Sequence, residues 1–149
     1  MTYTKFNIKE LSNTKMKKLK IIYWIVTGLM AAFMLLGALI DVSGNPDAVA
    51  LIRHLGYPAY FVRFIGAMKI LGVIAILLPR FTKLKEWAYA GLAFDTFSAM
   101  FSHFSTGDGP DKWFPALLGL VLILASYILF SRLSKRDSEA KPGFNNYTA

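Results

Sequence analysis

The chain has 149 residues, 55% of them hydrophobic and only 17% charged, and it contains no cysteine. Such a low charged fraction on so apolar a chain excludes a water-soluble globule and a disordered chain, and leaves a membrane protein of a single domain. The missing cysteines exclude disulfides, zinc–thiolate sites, iron–sulfur clusters, c-type haem attachment and any thiol nucleophile.

A bilayer core of about 30 Å needs ~20 mainly apolar residues per helix, and four windows of that size occur in the sequence. They define an all-α, polytopic membrane protein built as an antiparallel bundle of four transmembrane helices over residues 21–131. A basic, polar N-terminal tail (1–20) and a polar C-terminal tail (132–149) flank it, and both tails are expected to be disordered. The first span, Ile21 to Ile40, holds no charged residue. At 20 residues it exceeds the 7–15 of a cleaved signal peptide, so it is expected to stay as an anchor. Met16, ahead of Lys17-Lys18-Leu19-Lys20, reads as a natural initiation point.

The connection Asp41 to Pro58 contains Gly44-Asn45-Pro46 and Gly56 and is expected to be a loop. The second span, about 59–78, lies between Pro58 and Pro79 and carries Arg63 and Lys69. The third, 87–104, is the most polar, with Asp95, Thr96, Ser98, Ser102 and His103. A turn through Gly107-Asp108-Gly109-Pro110 leads to the fourth span, 113–131, which is free of charge. The apolar runs are continuous rather than alternating, which excludes a β-barrel.

Charge placement predicts orientation. The N-terminal tail carries Lys5, Lys9, Lys15, Lys17, Lys18 and Lys20, the second connection Arg80, Lys83 and Lys85, and the C-terminal tail Arg132, Lys135, Arg136 and Lys141. The other two connections hold only Arg53 and Lys112. The positive-inside rule then puts both termini in the cytoplasm. Tyr23, Trp24, Trp87, Tyr89 and Tyr127 are expected at the inner interface, and Tyr57, Tyr60 and Trp113 at the outer one. The basic excess thus serves orientation, and no nucleic acid is implied.

Three groups of residues bear on chemistry. Lys69 and Asp95 fall at the midpoints of the second and third spans, so they share one depth on neighbouring antiparallel helices and are expected to form an intramembrane charge pair. Each unpaired charge there would cost about 2.5–3.5 kcal/mol. Gly66 and Gly72 flank Lys69, Asp95 shares a helix face with Ala88, Gly91, Ser98 and Ser102, and Ala116, Gly119 and Ser126 line a face of the fourth span. These small residues mark close helix packing or the wall of a cavity. His54, Tyr57, Arg63 and His103 fall at similar depth near the outer ends of the second and third spans and form a candidate ligand pocket. The spacing of the two histidines demands neither metal nor haem, and no metal site is expected. Asp41, Asp47, Asp108 and Asp111 read as caps and turn formers. No serine elbow, phosphate loop or paired catalytic carboxylates occur, so catalytic residues are unassigned and the chain is not read as an enzyme by itself.

Leu55-Gly56-Tyr57-Pro58, Gly66-Ala67-Met68-Lys69-Ile70-Leu71-Gly72 and Leu84-Lys85-Glu86-Trp87-Ala88-Tyr89-Ala90-Gly91 followed by Asp95 resemble the DoxX-like family of small four-helix bacterial membrane proteins. The resemblance covers about residues 20–131. It implies a bundle in the bacterial inner membrane related to membrane subunits of thiosulfate:quinone and quinol-oxidising systems, and it marks Lys69, Glu86 and Asp95 as motif positions of undefined role. Three functions follow as expectations. The first is a quinone-linked, redox-associated membrane subunit or accessory protein without a covalent cofactor, quinone being the one candidate ligand. The second is a small proton-coupled or small-molecule transporter using Lys69 and Asp95. The third is a structural or stress-related membrane protein. The lipid bilayer, a second copy of the chain and a membrane oxidoreductase are the expected partners.

Overall fold

In the computed structural model the backbone is described for residues 2–139 and the side chains for residues 14–137. Five helices follow one another: α1 (Thr2–Ser43), α2 (Pro46–His54), α3 (Tyr60–Leu77), α4 (Thr82–Ser105) and α5 (Pro110–Glu139), with no strand among the described residues. The segments expected to be disordered are helical as far as they are described, since α1 begins at Thr2 and α5 continues to Glu139. The Pro142-Gly143 end of the C-terminal tail lies outside the described residues.

The four long helices form a ring in which α1 packs on α3, α3 on α4, α4 on α5 and α5 back on α1. Short connections make each neighbour antiparallel to the next. Three of the four are long and apolar enough to cross a membrane: Thr14–Ser43, Tyr60–Leu77 and Pro110–Asp137. Their outward faces carry large apolar side chains such as Leu29, Leu36, Leu71, Ile74, Val121 and Leu124. In water such a surface would aggregate; in lipid it is matched, and the protein is a membrane protein.

The loop expected between residues 41 and 58 is interrupted by α2. Its start signals were present in the sequence: Asn45 caps the helix by accepting the Asp47 N–H on Oδ1 at 2.8 Å, Pro46 occupies the first turn, and Asp47 complements the helix dipole. Gly44, at φ +69°, makes the turn from α1 into α2. α3 stops at Leu77 because Leu78 is extended ahead of Pro79.

Close-packed side chains fill the end of the ring nearest the α3–α4 connection. Met30 and Met34 of α1, Val73 and Ile76 of α3, Leu92 of α4 and Ile123 of α5 are all buried there. A polar knot sits inside this core, with Ser126 Oγ 2.7 Å from both the Thr27 hydroxyl and the Tyr89 hydroxyl. Tyr23 and Tyr89, expected at the membrane interface, are instead interior residues, 5% and 2% exposed. Their phenol rings lie on the inward faces of α1 and α4, against Phe130. Trp24, Trp87 and Tyr127 do face outward.

The small residues divide by function in the packing. A Cβ on Gly66 would stand 2.7 Å from Asp41 Cβ and 2.8 Å from the Ala38 carbonyl oxygen, one on Gly72 would press on Leu92, and one on Gly119 would press on Met34 and Phe33. These three glycines set the α1–α3, α3–α4 and α1–α5 distances. Gly91 differs, since nothing lies within 4 Å of its Cβ position.

Candidate functional site

Three charged residues of the interior meet at one point between α1, α3 and α4. Lys69 Nζ donates a hydrogen bond to Asp41 Oδ2 at 3.0 Å and lies 3.6 Å from Asp95 Oδ2. The side chains of all three are a fifth exposed or less. The arrangement is thus a triad in which two carboxylates face one ammonium. Asp41, expected to be a cap or turn former, belongs to it because α1 runs on to Ser43, past the expected end of the first span at residue 40. That places Asp41 on the last turn of α1, where glycine at position 66 lets α3 approach. The signal available in the sequence was the charge at the edge of the first apolar window, one residue beyond its end.

Asp95 Oδ2 is buried and has no hydrogen-bond partner. It borders two cavities. One, of about 350 Å³, lies between α3 and α4 beneath α2 and the segment that follows it; Ile52, Leu55, Phe61, Ile65 and Phe94 supply apolar wall, and Tyr57, Ser98 and Ser102 supply hydroxyls. The other, about 310 Å³, is lined by Met68, Lys69, Gly72, Ala88 and Leu92. Ile65, Gly91 and Asp95 are common to both. The open position above the Gly91 Cα is what leaves room for this space.

The structure brings three of the four residues of the expected ligand pocket to one end of the ring and leaves the fourth apart. Ser102 Oγ donates to the Ser98 carbonyl at 2.8 Å and accepts from the Tyr57 hydroxyl at 3.0 Å. His103 Nδ1–H donates to Asp108 Oδ2 at 2.6 Å, and His54 Nε2–H donates to Asp108 Oδ1 at 2.8 Å. Arg63 is exposed and stands against Gly44, at the α1–α2 turn. It does not join the other three, because its position on α3 faces the end of α1 rather than α4. Glu86 is exposed in a shallow groove between α4 and α5, beside Tyr89 and Tyr127, and makes no ion pair among the described residues.

Asp108 is the residue that the two histidines share. Gly107, at φ +77°, reverses the chain after α4 so that the Asp108 N–H bonds back to the His103 carbonyl at 3.0 Å and its carboxylate swings under both rings. The hydrogen bond from His103, then that from His54, hold the Asp108 carboxyl down at about 2, against a smaller opposing effect of burial. A carboxyl held low contributes stability that is fully present above its ordinary value, near ~4, and is lost as the pH falls through about 2. Thermal unfolding of Asp108→Asn beside the parent chain is expected to show a deficit near ~pH 5 that shrinks as the pH falls toward about 2. A deficit that grows with acid would contradict this coupling. Among the described residues no group of three or more histidine or acidic side chains is arranged to hold a metal ion.

The model of the DoxX-like family matches residues 25–126. The chain belongs to the DoxX-like family. The match runs from within α1 to Ser126 of α5, and so takes in the triad, both cavities beside Asp95 and the His54–Asp108–His103 cluster. No curated protein and no solved structure matches the chain. The family assignment therefore carries the fold class and the membrane setting, while the chemistry rests on the geometry above.

Proposed function

We propose that the protein crosses the bacterial inner membrane four times, through α1, α3, α4 and α5, with both termini in the cytoplasm, and that it binds a quinone-class molecule beside Asp95. In this reading it is the membrane subunit or accessory protein of a redox system, and an oxidoreductase partner supplies the electrons.

The fourth crossing rests on α4. Its Trp87, Phe94, Phe97, Phe101 and Phe104 recur at helical spacing and are all exposed, Trp87 at 81% and Phe94 at 71%, while Tyr89, Leu92, Thr96 and His103 are buried on the other side. Apolar residues outward and polar residues inward is the pattern of a helix set in lipid. With 24 residues it is about 36 Å long, enough for the hydrocarbon core. Orientation follows from the lysine and arginine distribution.

The ligand reading rests on one observation, the cavity of about 350 Å³ with apolar walls, hydroxyls from Tyr57 and Ser98, and a carboxyl at its base. That volume lies within the range of small-molecule sites, and the Ser98 hydroxyl can donate to one carbonyl of a flat quinone ring. Two electrons and two protons convert a quinone to a quinol; Asp95, whose Oδ2 has no hydrogen-bond partner, is the group positioned to exchange a proton with the ring oxygen.

Titration of a short-chain quinone into the purified chain, read by thermal stability, is expected to raise the unfolding temperature. Gly91→Leu, which fills free space, should weaken binding by at least about tenfold without unfolding the protein. Failure of the parent chain to respond would sink the quinone reading. A proton-coupled transporter is the second reading, favoured by the position of Asp95 between two cavities. A flux in proteoliposomes that depends on a pH gradient and is lost in Asp95→Asn would select it.

A further inference from the structure

At the end of the ring that carries the α3–α4 connection, far from Asp95, a larger recess of about 620 Å³ opens between α1, α4 and α5. Lys85 lines it and is 5% exposed, yet it forms no hydrogen bond or ion pair with any described residue. Its Nζ rests 5.6 Å from the centroid of the Phe130 ring, a contact that offsets only part of the loss of water around an ammonium. Lys20 lines the same recess, 3.9 Å from Asp137, with both of these side chains more than half exposed.

Two ammoniums against one carboxylate leave one positive charge in the lining. Thr82 and Ser134 line the recess as well. A lysine side chain that is almost wholly covered, lines the recess and has no acceptor within the described chain calls for an anion with several acceptor oxygens. We infer that this recess binds a phosphate group, carried either by an anionic phospholipid headgroup or by a soluble phosphate. Trp24, half exposed on the rim, supplies the amphipathic ring expected where a headgroup meets the hydrocarbon layer. The site is separate from the quinone reading, and it lies largely outside the segment that the family model matches, since Lys20, Tyr23, Phe130, Ser134 and Asp137 all fall beyond residues 25–126.

The full-length chain in a neutral detergent is to be titrated with phosphatidylglycerol, with phosphatidylcholine and, separately, with inorganic phosphate. Native mass spectrometry reads retained lipid and thermal unfolding reads stabilisation. Phosphatidylglycerol is expected to bind about tenfold more tightly than phosphatidylcholine, and Lys85→Met to remove that preference while Lys85→Arg keeps it. Stabilisation of the parent chain by inorganic phosphate, lost in Lys85→Met, assigns the site to a soluble phosphate; a response to phosphatidylglycerol alone assigns it to the headgroup. If Lys85→Met does not fold, Lys20→Gln, at an exposed position, carries the comparison and should weaken binding several-fold. Equal affinity of the parent chain for both lipids with no response to phosphate, or unchanged binding in the variants, overturns the inference.

Discussion

Lys69→Met is expected to destabilise the protein by about 3–5 kcal/mol, the largest effect of any single replacement in the interior. Removing the ammonium leaves Asp41 and Asp95 facing each other with no cation between them. The carboxylate replacements should behave differently. Asp95→Asn leaves Lys69 and Asp41 as a hydrogen-bonded pair at 3.0 Å, and Asp41→Asn leaves Lys69 with Asp95. Each is expected to cost much less than loss of the lysine, because one charge still balances one charge. A simple pair would be rescued by Lys69→Met with Asp95→Leu; the triad requires Asp41→Asn as well, since otherwise that carboxylate is stranded. Unfolding temperatures of the single, double and triple variants in detergent decide the matter. Full recovery in the double variant would show that Asp41 has no part in the balance, and a wild-type unfolding temperature for Lys69→Met would show that the lysine does not balance the two carboxylates.

Gly66→Ala is the second large effect. A methyl group there meets Asp41 Cβ at 2.7 Å and the Ala38 carbonyl oxygen at 2.8 Å. Backbone cannot rotate away as a flexible side chain can, so α1 and α3 must separate, at about 1–3 kcal/mol. Separation also lengthens the Lys69–Asp41 hydrogen bond, which couples this change to the triad. Gly91→Ala is the control, because its Cβ position is open and the unfolding temperature should hold. Equal losses at the two positions would mean that helix propensity and packing at these glycines act differently from the contacts described.

How much of this was legible beforehand depends on the range of the forces involved. Hydropathy over ~20 residues reports lipid-facing area, and it located α1, α3 and α5 as apolar helices. It was weakest on α4, where the polar residues are turned inward and only their alternation with outward aromatics reveals the setting. The helix α2 is signalled by Asn45-Pro46-Asp47, yet a cap of three residues is a weaker signal than the glycine and proline around it, which point to a loop.

The candidate site divides in the same way. Matching depth on adjacent antiparallel helices was enough to bring Lys69 toward Asp95, because rise per residue converts sequence position into height. Height says nothing of azimuth, and that is where Arg63 went astray: it turns to the end of α1, away from His54, Tyr57 and His103.

From sequence alone came the helical class, the membrane setting, the family and the nearness of Lys69 to Asp95, all of which depend on local composition and on distance along one chain direction. Tertiary packing alone decided that Asp41 shares Lys69, that Asp108 gathers both histidines, that Tyr23 and Tyr89 lie inside, and that Lys85 is buried without a counter-charge. These contacts join residues far apart in the chain, and they depend on helix rotation and on where each helix ends; a shift of one residue turns a side chain by about 100° and moves it from lipid to core.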